Sequence, residues 1–391
     1  MLKTYKYKLY SSKRNKSLEE QTKICGNIYN HCISLKLRYY QLYGKSLSKY
    51  QLQKHLTKLK KLPKYSFWNK VGSQAIQDIT DRIERGYTAF FKNCKKKTKT
   101  RKVSPPSFKN VRGYSSFTLK QAGYSFNSDN DVRIGRETYK YFKSRETKGE
   151  IKTVTVKRDK VGDWFIFVTC RTENNTKEIS KTGKTAGFDF GCMTFLTASD
   201  ETKIQSPLFM KKAHVKLAQA SRSLSRKKKG SNNRKKAKIV GARIHRKIAN
   251  QRRDWHFKTA HSLLKDYDIL CFEDLNLKGI AKLHGKKIGD MGFGEFVSIL
   301  SYLALIGGKE IRFIDRWFPS TKLCSICEYK NEDLTKRDRT WECPECGTFH
   351  DRDINAAVNI HSNAMNFSEG ASSDRRESIS SDKFRQLSLV A

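Results

Sequence analysis

Four cysteines set the first chemistry. Cys324-x2-Cys327-x15-Cys343-x2-Cys346 is a pair of knuckles, and two CxxC pairs at that separation suit a tetrahedral Zn²⁺ held by four thiolates. With four protein ligands such a site is closed to substrate, so its zinc is structural. The Lys, Glu, Asp and Arg around the knuckles cannot build the apolar core that four reduced, buried thiols would need. Three carboxylates set the second chemistry. Asp189 sits in the otherwise apolar, glycine-flanked run Gly187-Phe188-Asp189-Phe190-Gly191, Glu273 ends the run Ile269-Leu270-Cys271-Phe272, and Asp353 opens a helix. Any one of them alone reads as a turn or cap residue. Three acids at the ends of core elements repel one another unless a cation neutralises them, and Mg²⁺, which takes carboxylate oxygens, is suited to that task.

Two choices within the acidic set turn on periodicity. Taking about 100° per residue, Asp353 lies about 40° from Ala357 on the face that also holds Ile354 and Val358. Asp351 lies about 120° away and is expected to cap the helix N-terminus. Glu273 and Asp274 point to opposite faces of a strand, so only one joins the site, and the pattern leaves the choice open.

The elements that must position these groups are legible as changes of period. Tyr5 to Tyr10 reads as a strand; Ile24, Ile28, Leu35, Tyr39 and Leu42 fit a helical stripe, Leu52, Leu56 and Leu59 a second, and Ile76, Ile79, Ile83, Tyr87 and Phe90 a third beyond Pro63. The run Lys95 to Lys102 before Pro105-Pro106 is a composition break and predicts a linker. Short alternating strands follow at 116–120, 153–157 and 164–169, a pattern for a small β-barrel or sandwich completed by the first strand, with the helical module inserted into it. From Lys184 the pattern turns α/β: a hairpin over 185–198, a long basic helical region over about 210–265, a buried strand at 269–273, a helix near 292–306, a strand at 311–314, the cysteines, and a last helix. The Ser-rich tail from about Ala364 reads as disordered.

Composition narrows the class. The 391 residues carry 80 Lys+Arg against 38 Asp+Glu, a formal net charge of +42. Charge at this density asks for a polyanion, most simply nucleic acid. No run approaches the roughly 20 apolar residues of a membrane span, and Met1 to Lys6 lacks an apolar signal core, so a soluble intracellular protein is expected. At 37% hydrophobic and 11% aromatic the chain has material for folded cores. The other six cysteines, Cys25, Cys32, Cys94, Cys170, Cys192 and Cys271, stand among apolar neighbours and read as small buried hydrophobes.

Gly187-Phe188-Asp189-Phe190-Gly191, Phe272-Glu273-Asp274-Leu275-Asn276, Trp317-Phe318-Pro319-Ser320-Thr321-Lys322 and His350-Asp351-Arg352-Asp353-Ile354-Asn355-Ala356-Ala357, in this order, resemble the signatures of the TnpB family of insertion-sequence proteins, which are similar to ancestors of type V CRISPR effectors. The likeness extends to Leu2 through Tyr10 and to Ala249-Asn250-Gln251-Arg252-Arg253-Asp254. One position departs: Glu328 stands after the second knuckle cysteine, where the family usually has glycine, whereas Gly347 keeps the other knuckle regular.

The resemblance implies an α/β RNase H-like (RuvC) nuclease domain with an inserted zinc ribbon, plus an N-terminal β-barrel (wedge) domain carrying an inserted helical (recognition) module. In those terms residues 1–24 and 95–182 are wedge and linker, 25–94 the recognition module, 183–320 the nuclease domain, 321–350 the ribbon, 351–363 the last nuclease helix and 364–391 the tail. It implies an RNA-guided DNA endonuclease with Asp189, Glu273 and Asp353 as catalytic triad, favouring Glu273 over Asp274, and two Mg²⁺ ions that activate a water and stabilise the leaving 3′ oxygen. Guide RNA and double-stranded target DNA are the expected partners, with one protein per RNA and no membrane, in the cytoplasm of a prokaryote. Guide pairing reads the sequence, and the protein reads a short flanking motif.

Among the cations, Ser225 to Lys238 is nearly unopposed, so Arg226, Lys227, Lys228, Lys229, Arg234, Lys235 and Lys236 are the candidate phosphate contacts. Gln74 and Gln77 are candidates for reaching base edges or the guide. Tyr39, Tyr40, Tyr50, Tyr65, Phe67 and Trp68 suit base stacking, although core packing is the commoner role of such residues. Competing readings are a guide-dependent DNA-binding regulator without nuclease activity, an unguided RuvC-like nuclease, and a zinc-ribbon RNA-binding structural protein. The last leaves the strand-embedded acids without a role.

Overall fold

The computed structural model describes residues 1–95, 103–128, 130–173, 179–191, 193–276, 285, 287–335 and 337–366. Most of the linker run, Cys192 and the tail beyond 366 lie outside the described residues. The described residues divide into two units, one up to residue 173 and one from residue 179 on.

In the first unit, β1 (Leu2–Leu9) buries Tyr5, Tyr7 and Leu9 and turns Lys6 and Lys8 outward, the period-two pattern of a half-covered strand. It is followed by α1 (Asn15–Tyr43), α2 (Lys49–Leu59), a 3₁₀ segment (Pro63–Lys70) and α3 (Ser73–Cys94). The chain then returns to β structure with β2 (Ser116–Leu119), β3 (Tyr124–Ser128), β4 (Asp131–Ile134), β5 (Glu137–Phe142), β6 (Glu150–Arg158) and β7 (Trp164–Arg171). These strands form one antiparallel, barrel-like sheet in the order β2-β6-β7-β1-β5-β4-β3. The first strand is therefore central to it, joined to β7 from Leu2↔Arg171 to Lys8↔Phe165.

Four features of this unit differ from the sequence reading. α1 starts at Asn15 rather than near residue 25, because Leu18 and Thr22 already bury on its core face and Glu19 pairs with Lys23 at 3.0 Å. Of the expected stripe Ile24 and Ile28 are buried and Leu35 packs partly against the core, but the buried face is centred on Cys25 and Cys32 and runs on through Leu18 and Ile33, so Leu42 is exposed. The strands β3 to β5 were not expected at all, their alternation being carried by isolated residues such as Val132, Ile134, Tyr139 and Tyr141 between polar ones. Of the scattered cysteines Cys25, Cys32, Cys170 and Cys271 are buried, whereas Cys94, the last residue of α3, is exposed.

The second unit begins earlier than the expected boundary at 183. Ile179 donates its amide to Gly307 O at 3.0 Å, and Thr182 and Gly183 donate theirs to Asp268, so 179–182 belong here. Its strands are β8 (Thr185–Asp189), β9 (Leu196–Ala198), β10 (Lys203–Ile204), β11 (Ile269–Glu273) and β12 (Glu310–Ile314), in the order β10-β9-β8-β11-β12. β8, β11 and β12 are parallel and β9 and β10 antiparallel to their neighbours. Between β10 and β11 lie α4 (Phe209–Lys212), α5 (His214–Ser225) and α6 (Asn232–Asp266), and α7 (Phe293–Gly307) precedes β12. The expected continuous basic region is therefore a pair of packed helices broken at 226–231, where Gly230 takes φ 88°.

The sheet has two differently furnished faces. Ala186, Phe188, Leu270 and Phe272 pack with Ala260, Leu263 and Leu264 of α6 and with Phe293, Phe296, Ile299 and Leu300 of α7. The apolar stretch Lys287–Gly307 has the length and mean hydropathy (1.3) of a membrane span, contrary to the sequence reading. It is interrupted at Gly292 (φ 66°) and packs as a core helix of this unit. The opposite face of the sheet receives α8 (Arg352–Asn366), which follows β13 (Thr340–Glu342) and β14 (Phe349–Asp351), the antiparallel pair of the cysteine ribbon.

Candidate functional site

Asp189 and Glu273 are the last residues of neighbouring parallel strands, and the register Phe272↔Phe188 sets them side by side. Because Phe188 and Phe272 stack at 5.2 Å on the α6/α7 face, the next residue of each strand points to the α8 face. Glu273 shares a face with Asp189, whereas Asp274 turns the other way, is exposed, and pairs with Arg316. The site thus lies at the carboxyl ends of parallel strands, where open α/β sheets gather their ligands.

Gly187 brings the third acid in. A Cβ on Gly187 would lie 2.2 Å from Ala357 O and 2.6 Å from His361 N, so only glycine admits the backbone of α8 so close to β8. The buried Ala356 and Ala357 present little bulk at this crossing, and Thr185 Oγ1 hydrogen-bonds with His361 Nε2 at 2.8 Å. Asp351 accepts the amides of Asp353 and Ile354 on Oδ1 at 3.0 and 3.2 Å, capping α8 as expected, and Lys203 Nζ holds its Oδ2 at 2.7 Å. Asp353, in the first turn, lies near enough for its charge to act on Asp189.

The carboxylates feel one another. Burial pushes Asp189 up to about 7, and the charge of Asp353 adds to the rise. Glu273 is likewise raised to about 7 by burial, then by Asp189 and Asp274. Asp353 is bracketed by two cations, Arg352 Nη2 at 3.2 Å and Arg339 Nη1 at 3.4 Å. These arginines were missed in the sequence. Arg352 adjoins Asp353, a neighbourhood available to inspection, whereas Arg339 arrives through the β13/β14 pairing, in which Arg352 N donates to Arg339 O at 2.9 Å. Asp189 and Glu273, side by side, and Asp353, whose charge reaches Asp189, offer hard oxygen donors of the kind a divalent cation takes; among the described residues only the four cysteines gather three or more ligand atoms within reach of one ion.

The four cysteines form a second centre. Their sulfurs all lie within 4.8 Å of one another, with Cys324–Cys346 at 3.7 Å and Cys327–Cys343 at 3.5 Å. A tetrahedron with Zn–S of about 2.3 Å has edges of about 3.8 Å, so the set fits zinc. Thr348 lowers the Cys346 thiol to about 6 through its hydroxyl and amide. Both knuckles turn on a left-handed residue: Gly347 (φ 69°) donates to Cys343 O, and Glu328 (φ 61°) donates to Cys324 O, so the departure from glycine keeps the turn at a strain cost.

The candidate nucleic-acid residues fall into distinct surroundings. Arg226, Lys227, Lys228 and Lys229 are exposed in the α5–α6 turn, and Lys235 and Lys236 lie exposed on the first turns of α6. Arg234 is committed to that turn, donating Nη1 to Leu224 O at 2.7 Å and Lys227 O at 3.0 Å, which fixes its guanidinium on carbonyls ahead of any phosphate. In the first unit Gln74 and Gln77 stand on the first turns of α3, a helix separate from the 3₁₀ segment that holds Trp68. Gln77 lines an 810 Å³ groove with Gln53, Lys60, Lys61 and Asn69. Trp68 is buried, and Tyr40, Tyr50 and Phe67 are exposed.

Residues 166–284 match the family described as Probable transposase, OrfB_IS605, and residues 293–360 one described as Cas12f1-like, TNB domain. A protein of Streptomyces pristinaespiralis named as an RNA-guided DNA endonuclease is 32% identical over 367 residues, which cover 92% of this chain and 88% of that one. InsQ of Escherichia coli K12, similarly named, is 24% identical over 357 residues, covering 86% and 85%. Among solved structures, the Cas12f1–sgRNA–target DNA complex contains a chain with the same fold, at TM-score 0.61 and 15% identity over 90% of this chain and 83% of that one. The matches run through both acidic strand ends, the knuckles and α8, and with that extent of likeness the chain belongs to the TnpB family.

Proposed function

We propose that this protein binds a transposon-derived guide RNA, recognises a short motif beside its target, and cleaves DNA at the acidic centre. The observation that carries the reading is the placement of Asp189 and Glu273 side by side at the carboxyl edge of β8 and β11, where burial first, and then a neighbouring carboxylate (Asp353 for Asp189, Asp189 for Glu273), raises each to about 7. Relatives named as RNA-guided DNA endonucleases over most of their length support it.

In this reading the second unit is a RuvC-type, RNase H-like nuclease with a zinc ribbon. Asp189, Glu273 and Asp353 hold divalent metal, two Mg²⁺ ions, which when bound supply an activated water and charge neutralisation at the phosphate. The protein residues do the rest. Asp189 and Glu273 must give up their protons to act as ligands, and their adjacency fixes two donors on one rigid edge. Arg339 and Arg352 hold Asp353 against the strand ends and bring positive charge to the place where a scissile phosphate arrives. No protein nucleophile is needed. In the first unit the barrel-like sheet is the wedge and the helices α1 to α3 the recognition module, with Gln74, Gln77 and the groove beside them facing the guide or the flanking motif. The exposed Arg226 to Lys229 turn, with Lys235 and Lys236, tracks phosphate.

The test begins with the protein expressed alongside its native flanking DNA, washed at high salt, and the retained RNA sequenced. One abundant species ending in a variable segment, and cleavage of matched duplex DNA that needs Mg²⁺ and is abolished in Asp189→Ala, is the expected result. Heterogeneous RNA, or wild-type cleavage by Asp189→Ala, refutes the reading.

A further inference from the structure

The first cysteine knuckle and α8 are stitched together by two asparagines. Asn355 donates Nδ2 to Leu323 O at 2.6 Å and accepts Ser325 N on Oδ1 at 2.9 Å. Asn359, one helical turn on, donates Nδ2 to Ser320 O at 2.8 Å and to Leu323 O at 2.7 Å. Both side chains sit in the interior, with the residues 2% and 7% exposed. Leu323 and Ser325 flank Cys324, so the partners of the asparagines are the backbone groups that set the position of that sulfur. A second tie reaches the same cysteine from the other side: His350 Nε2 lies 3.1 Å from Cys324 Sγ, its ring 4.8 Å from Trp341, and the residue after it is Asp351, the cap of α8.

We propose that Asn355 and Asn359 are positioning residues, which make the four-cysteine knuckle and the Asp353-bearing helix one body, so that the metal state of the cysteines sets the placement of Asp353. The physical reason is the cost of a buried amide without partners. An emptied knuckle, with four thiols no longer drawn to one ion, releases the backbone at 320–325. Asn355 and Asn359 then keep their place on a helix packed against β8 and lose every protein partner shown for them. The least costly escape is fraying of the first turns of α8, which contain Asp353. The asparagine side chain suits this role because one amide serves a carbonyl and an N–H together, which no apolar residue does. The inference rests on the proposed function only in giving Asp353 a reaction to serve.

The experiment is hydrogen exchange by mass spectrometry on the full-length protein, with zinc bound and after its removal by a thiol-specific mercurial and chelator. In the wild type, emptying the cysteines raises exchange in peptides covering 352–360 by about tenfold, the equivalent of one buried hydrogen bond. Peptides of the β1–β7 sheet stay unchanged. Asn355→Ala and Asn359→Ala raise exchange over 352–360 by a similar factor with zinc bound, and zinc removal then adds little. That non-additivity is a signature a merely local packing role does not produce. Unchanged exchange over 352–360 in the wild type on zinc removal overturns the proposal, as does an additive response in the variants. Cobalt substitution, read by its thiolate charge-transfer band, checks that the variants load metal; where they do not, the wild-type arm decides alone. No DNA is cleaved in this assay, so a protein that shows the coupling and lacks nuclease activity would refute the proposed function and leave the clamp standing.

Discussion

Substituting Gly187 by alanine tests the geometry of the acidic centre without touching an acid. A Cβ there sits 2.2 Å from Ala357 O, 2.6 Å from His361 N and 2.8 Å from His361 Cβ, and ordinary contact begins near 3.4 Å, so α8 must withdraw by about 1.2 Å. The obstacle is backbone, which cannot rotate aside as a side chain does. Overpacking of this kind costs about 1–3 kcal/mol, against which the lost freedom of glycine in the unfolded chain returns about 0.4–1 kcal/mol. In a domain of this size the net loss lowers Tm by roughly 2–8 °C. The larger effect falls on function. A displacement of about 1 Å between Asp353 and the pair Asp189/Glu273 is enough to cost about 10²-fold in rate, equivalent to about 2.7 kcal/mol of barrier. The assay is single-turnover cleavage of matched duplex DNA by the purified ribonucleoprotein, with Tm and retained RNA measured alongside. The expected outcome is a rate about 10²-fold lower with RNA retention intact. A rate within threefold of wild type at unchanged Tm would show that α8 does not need this close approach to β8 at Gly187.

Other consequences are open to measurement. Glu328→Gly relieves a left-handed residue (φ 61°) in the first knuckle, so zinc release to a chelator should slow and stability rise by up to about 1 kcal/mol; a faster release contradicts the strain account. His256 is wholly buried, donates Nε2–H to Met291 O at 2.9 Å, and is lowered to about 4 from 6.5, by burial first. Its folded value lies below its unfolded one, so its contribution is present above pH 6.5 and is lost as pH falls from 6.5 towards 4, by up to about 3 kcal/mol. Asp189 and Glu273, raised in the fold, gain stability over the same window, so the readout is the difference between wild type and His256→Gln in denaturant titrations at pH 7 and 4.5: it should shift against the wild type by that amount at pH 4.5, and an unchanged difference removes His256 as a contributor. Replacing Lys227, Lys228 and Lys229 together by alanine should weaken RNA retention and lower the slope of log affinity against log salt by about 2, whereas an unchanged slope would place the phosphate contacts elsewhere.

What the sequence determined by itself was whatever depends on near neighbours. Two CxxC pairs define a metal centre because each knuckle is a local turn, and the fold had only to bring the second pair to the first. The capping of α8 by Asp351 is equally local, lying within three residues of the amides it accepts. The strand runs of β1, β6, β7, β8 and β11 carried enough apolar density to be read, and the first strand could be assigned to the later β unit from its pattern. Short β3 to β5 could not, since alternation over four to six residues among polar neighbours is a weak signal.

Tertiary structure decided the rest, and the reason is register. Asp189, Glu273 and Asp353 are far apart along the chain, and no periodicity relates them; the parallel pairing Phe272↔Phe188 puts the first two abreast, and the glycine at 187 lets α8 deliver the third. The same alternation that left Glu273 and Asp274 equivalent in sequence becomes decisive once Phe272 is known to face α6 and α7. Arg234, one basic residue among many in the sequence, is spent on carbonyls of a turn, a fact that only the folded α5–α6 pair contains. A sequence states which groups are available; which of them face one another is set by how strands and helices pack, through contacts between residues that are distant in the chain.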